Sequence, residues 1–105
     1  MRFLVLTTPR EAVPPEVRLQ MIDAMRGWVE TQRASGRMVD VRAIAGTRGG
    51  GGILEVDSHE ELNEVMAGFP FGQRSNIEVH ALADINIALD QGRAATERMM
   101  KARQS

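Results

Sequence analysis

Gly52-Ile-Leu-Glu-Val-Asp-Ser-His-Glu-Glu-Leu62 decides the fold. Its first half, Gly52 to Val56, is a short run of β-type residues and reads as a strand. Asp57-Ser58 ends that strand. Ser58-His-Glu-Glu61 is an S-x-x-E capping box, in which the serine hydroxyl accepts from a free N–H of the first turn and the glutamate reaches back to another. A helix therefore opens at His59 and runs to about Gly68, with Leu62, Val65, Met66 and Phe69 as its apolar stripe. Phe69-Pro70-Phe71-Gly72 breaks it. A strand running straight into a capped helix is half of a β-α-β unit.

The flanks complete the pattern. Met38 to Ala45 alternates, which puts Val39, Val41, Ala43 and Ala45 on one face and Met38, Asp40, Arg42 and Ile44 on the other. The glycine-rich Gly46-Thr-Arg-Gly-Gly-Gly-Gly52 joins it to the Gly52 strand as a hairpin. Further back, Pro14-Pro15-Glu16 opens a helix with proline in the first turn and an acid near the positive end. Val17, Met21, Met25, Trp28 and Gln32 follow at helical spacing, flanked by Ile22 and Val29. Gly36 suits the left-handed cap position, so that helix stops at Ser35. Arg2 to Thr8 is almost wholly apolar and reads as a strand buried on both faces. Asn76 to Leu82 alternates as a fourth strand. Residues 84–103 read as a helix, apolar at Ile85, Ala88, Leu89, Gly92 and Ala95 and basic toward its end.

The order β-α-β-β-α-β predicts an α+β, ferredoxin-like fold, two crossovers onto one antiparallel sheet. It occupies residues 1–84, and 85–105 form a C-terminal helical extension. Two helices cover only one face of such a sheet, yet the first two strands carry apolar residues on both. A second copy of the chain is the simplest cover, so a homo-oligomer, dimer or higher, is expected, with the C-terminal helix contributing to it.

Composition narrows the chemistry. The chain has 105 residues, no Cys, no Tyr, one lysine (Lys101), twelve arginines and two histidines, His59 and His80. One domain is all that this length supports. Thiolate chemistry, disulfides and a tyrosine acid or base are excluded, and no metal-ligating constellation appears. Net charge is -1 with pI ≈ 6.1 and aromatics at 4%, which argues against a nucleic-acid partner. Residues 1–52 carry eight bases against five acids, and 53–105 five bases against nine acids. No apolar run approaches a membrane span or a signal peptide, so a cytoplasmic location is expected.

Trp28 through Gly36, Gly46, the Gly52–Leu62 segment, Gly68-Phe-Pro-Phe71 and Ile77-Glu-Val-His-Ala-Leu82 together resemble the muconolactone isomerase family over about residues 1–84. The resemblance implies a dimeric α+β barrel with a pocket between sheet and helices. It implies movement of a proton and a double bond in a small unsaturated lactone, without a cofactor. It also implies a glutamate on the first helix and a tyrosine and an asparagine near the third strand. Counted from Gly36 and Gly46, those positions hold Met25, Arg48 and Gly50. A thioether cannot shuttle a proton, so the fold is expected to carry over and muconolactone isomerisation itself is not.

The candidate site residues follow, each beside a bland alternative. Arg42 and Asp40, two apart on one strand face, suit holding an oxyanion and moving a proton; the alternative is an edge-strand ion pair. His80, on a face with Glu78, suits a general base near neutral pH; the alternative is a solvent-facing histidine. Arg48 with Gly49–Gly52 suits an anion site of guanidinium and backbone N–H groups; the alternative is a flexible, bulged hairpin turn. Trp28, Met21, Met25, Phe69 and Phe71 suit the walls of an apolar cavity; the alternative is packed core. The leading expectation is a cofactor-independent isomerase, cyclase or lyase acting by proton transfer on a small oxygenated substrate. The alternatives are a non-catalytic binding or accessory protein, and a cofactor-free or haem-type monooxygenase on the same fold.

Overall fold

A computed structural model of the chain describes residues 1–104. In chain order it contains β1 (Arg2–Pro9), α1 (Pro15–Ala34), β2 (Met38–Ala43), β3 (Gly50–Glu55), α2 (His59–Ala67), a single 3₁₀ turn at Gly72–Arg74, β4 (Ser75–Leu82) and α3 (Ile85–Gln104). The strands form one sheet in the order β2-β3-β1-β4, with every neighbouring pair antiparallel. This is the ferredoxin-like α+β arrangement expected from the element order.

The local signals act much as the sequence suggests. α1 starts behind Pro14 and ends where Gly36 takes φ 80°, with the Gly36 and Arg37 N–H groups closing on the carbonyls of Arg33 and Gln32. At α2, the Ser58 hydroxyl accepts from Glu61 N–H at 3.1 Å. The return bond from Glu61 falls one residue early, on Asp57 N–H at 2.7 Å. The other Glu61 oxygen accepts from Arg37 Nε at 2.8 Å, which ties the start of α2 to the approach into β2. Both contacts hold the Glu61 carboxyl below its ordinary range, the Asp57 backbone N–H contributing most.

The core lies between the sheet and α1 and α2. Phe3 and Val5 of β1, Met38 of β2, Leu54 of β3 and Leu62 and Val65 of α2 are buried together, with Val56. Two sequence expectations change here. Strict alternation put Met38 with Asp40 and Arg42, but a bulge between Met38 and Asp40 pairs Met38 with Leu54 and Asp40 with Ile53. One extra residue reverses the facing of everything before it, so Met38 joins Val41 on the helix side. The glycine run is also not a loose turn. Gly50, Gly51 and Gly52 lie in β3, paired on both sides. At Gly49 a Cβ would stand 2.7 Å from the Thr7 carbonyl oxygen, so only glycine lets the hairpin close there.

On the far face Leu4 and Leu6 are only half-buried, so within one chain β1 is covered on one side rather than both. α3 contributes no buried residue and stands off the sheet, stretching the molecule to 69 Å against widths of 28 and 22 Å.

Candidate functional site

Between α1 and the sheet lies an apolar cavity of about 280 Å³, just under the usual range of about 300–1,000 Å³ for small-molecule sites. Val5 and Gly50–Gly52 form its floor, and Met25, Trp28, Phe69 and Phe71 form its walls. Trp28 donates its indole N–H to the Val65 carbonyl at 3.3 Å, which fixes the ring between α1 and α2. Phe69 lies against Trp28 with centroids 5.4 Å apart, and Phe71 follows at 6.2 Å from Phe69. The glycine floor brings strand backbone up to the cavity with no side chain between.

The charge at the rim is one-sided. Arg18 from α1, Arg42 from β2 and Arg48 from the hairpin loop all line the cavity, while no Asp, Glu or His does so among the described residues. Arg42 Nε is bonded to Asp40 Oδ1 at 3.1 Å. Arg18 and Arg48 form no salt bridge among the described residues. All three are exposed at the rim, Arg42 to 82% of its side chain, so they draw an anion to the mouth of the cavity by charge and planar hydrogen bonding rather than from a buried position.

The structure thus brings together Met25, Trp28, Arg42, Arg48 and Phe71, along with Phe69 and Gly50. It does not bring His80, Glu78 or Asp40 to this cavity. In the β1–β4 register His80 is opposite Leu4 and Glu78 opposite Leu6, and these residues face away from the helices. His80 Nε2 stands 3.3 Å from Glu78 Oε2 with both side chains more than half exposed. Asp40 borders a hollow on that same far face, with Leu4, Leu6 and Ile53. Strand alternation reveals which residues share a face but not which face turns inward. Met21, expected in the wall, is half-buried but does not line the cavity. Arg18 was missed, although a signal exists: it precedes Met25 by seven residues, two turns up the same helix face.

The fold and site together define a class: a ferredoxin-like α+β domain holding an apolar, arginine-rimmed cavity of small-molecule size. The chain belongs to the muconolactone delta-isomerase family, whose model matches residues 1–86. Among solved structures it is similar to a muconolactone isomerase, at 23% identity and TM-score 0.74, covering 80% of this chain and 90% of that one. It is also similar to a 5-chloro-2-hydroxyhydroquinone dehydrochlorinase from Burkholderia phenoliruptrix, solved in complex with 2,5-dihydroxybenzoquinone, at 20% identity and TM-score 0.63 over 79% of this chain and 94% of that one. A comparison with curated protein sequences gives no match. No helix among the described residues is long and apolar enough to cross a membrane, and those residues contain no cluster of three or more His, Asp or Glu suited to a metal ion.

Proposed function

We propose that this chain is a cofactor-independent enzyme acting by proton transfer on a small, oxygenated, anionic molecule with a largely apolar body. The observation that carries this reading is the lining itself: three arginines and no acidic residue around an apolar cavity. Arg18 and Arg48 hold the anionic group, and Trp28, Met25 and Phe71 shape the space. Arg42, held by Asp40, is the guanidinium assigned to the carbonyl oxygen.

The reaction class follows from that charge. Removing a proton α to a carbonyl sends the C–H electron pair toward the oxygen, and a fixed guanidinium stabilises the resulting enolate. Reprotonation at a more distant carbon shifts the double bond and gives isomerisation. Departure of an anionic leaving group gives elimination. Asp40 is the carboxylate bonded to a lining residue, since Arg42 borders both the cavity and the far-face hollow. Asp40 itself borders the far-face hollow and does not line the cavity, so it positions Arg42, and the proton moves to and from water at the cavity mouth. Met25, Arg48 and Gly50 occupy the positions that the resemblance gives to glutamate, tyrosine and asparagine, so the proton path differs from the one implied for the family.

The half-exposed Leu4, Leu6 and Ile53 support a second copy packing on the far face, where His80 and Glu78 would meet it rather than a substrate.

The test is deuterium wash-in. Muconolactone and a panel of unsaturated lactone acids are incubated with the protein in D₂O and followed by proton NMR. Exchange faster than in buffer, lowered at least tenfold by Arg48→Ala and by Arg42→Ala, is expected. A second reading, a binding protein without catalysis, is favoured by the absence of a histidine or carboxylate from the lining. Bound acids with no exchange above the buffer rate would establish that reading and end the first.

A further inference from the structure

α3 is 20 residues long, contributes no buried residue and begins where the family match ends. Ile85 and Met99 expose 66% and 67% of their surface. A lone helix of this length is marginal in water, and Gly92 near its middle costs it about 1 kcal/mol relative to alanine. Asp84 caps its start, accepting Ile87 N–H at 3.0 Å, so the helix is built to form yet lacks a surface to form against.

Its apolar face names that surface. Ile85, Ala88, Gly92, Ala95, Met99 and Ala102 recur at alternating spacings of three and four, the seam of a two-helix pairing. Laid antiparallel on an identical helix, this seam sets Ile85 against Ala102, Met99 against Ala88 and Gly92 against Ala95. Every layer then has a larger residue facing a smaller one. A parallel pairing sets isoleucine on isoleucine and glycine on glycine, which crowds one layer and empties another. Charge agrees with the same orientation. Of the helix's charges, Asp84 at its start and Arg103 at its end flank the seam, with Arg98 at its margin, while Glu97 is paired with Arg93 of its own helix. Antiparallel pairing brings each acidic start beside the partner's basic end, and it opposes the two helix dipoles.

We infer that α3 is an oligomerisation helix that pairs antiparallel with α3 of a second copy, crossing near Gly92 and Ala95. This interface is separate from the sheet face and does not depend on what the cavity binds.

Two experiments test it on the full chain. Around Gly92 a Cβ would meet nothing within 4 Å in its own chain, and leucine is the better helix former. Gly92→Leu therefore leaves the isolated helix sound by circular dichroism but blocks close approach of a second one. Light scattering should show the assembly mass halved; an unchanged mass would overturn the proposal. The chain has no cysteine, so Ala94→Cys and Gln104→Cys each place one spin label per protomer. At 1.5 Å rise per residue, pulsed EPR should give about 30 Å or more at position 104 and about 20 Å or less at position 94. Short distances at both positions, meaning parallel pairing, or no dipolar signal at either would overturn it.

Discussion

Gln32 shows what one residue contributes at the centre of this fold. It is buried at the end of α1, and its side-chain oxygen has no hydrogen-bond partner. A buried amide left unpaired costs roughly 1–3 kcal/mol. Gln32→Met keeps the length and removes the unpaired group, so it should raise the thermal midpoint by several degrees in a scanning calorimeter. An unchanged or lower midpoint would mean the amide is satisfied in solution. From sequence, Gln32 was legible only as a member of the α1 stripe. The cavity residues divide in the same way. Trp28, Met25 and Phe71 could be read as apolar walls from their place on α1 and past the helix break. Arg48 could be read from its glycine neighbours. Beyond its spacing from Met25, nothing in the sequence singles out Arg18, and His80 reads as a site residue because alternation does not show which face of β4 turns inward.

At the scale of elements, the most legible feature was the cap of α2, where Ser58 and Glu61 meet as their spacing requires. Its consequence is measurable. The Glu61 carboxyl is held below its ordinary range by the Asp57 N–H and then by Arg37. A lowered folded-state pKa means that the stabilisation is complete above the unfolded carboxylate value and is lost as pH falls through the folded one. Glu61→Gln should therefore lower the unfolding midpoint at pH 7, and the gap should close as the solution is acidified. A gap of constant size from pH 7 to strongly acidic solution would contradict that origin. The least legible feature was β2. Nothing in Met38-Val-Asp-Val-Arg announces a bulge, because the extra residue answers to the pairing partner on β3 rather than to its own neighbours. That single insertion sends Met38 to the core and leaves Asp40 outside. The glycine run misled for a similar reason: it reads as a turn by propensity, yet the tight approach of Thr7 draws it into the sheet.

At the scale of the molecule, the element order alone led to the ferredoxin-like fold, because a β-α-β-β-α-β chain has few ways to bury one sheet face under two helices. The family followed from the same segments, since the capped helix, the breaker and the fourth strand are the parts that the shared fold needs. The chemistry was harder to read because it depends on which rim residues converge across elements distant in sequence. Three arginines from α1, β2 and the hairpin loop line one cavity with no acid beside them among the described residues, and in the proposed function they select an anion. Trp28 is the sole tryptophan of the chain and stands in the cavity wall, so its fluorescence reports occupancy directly. Titration with unsaturated lactone acids and with their methyl esters should give saturable changes for acids, at least tenfold tighter than for the paired esters and weakened by salt and by Arg48→Ala. Esters binding as well as their acids, or no acid of the panel perturbing Trp28, would contradict it.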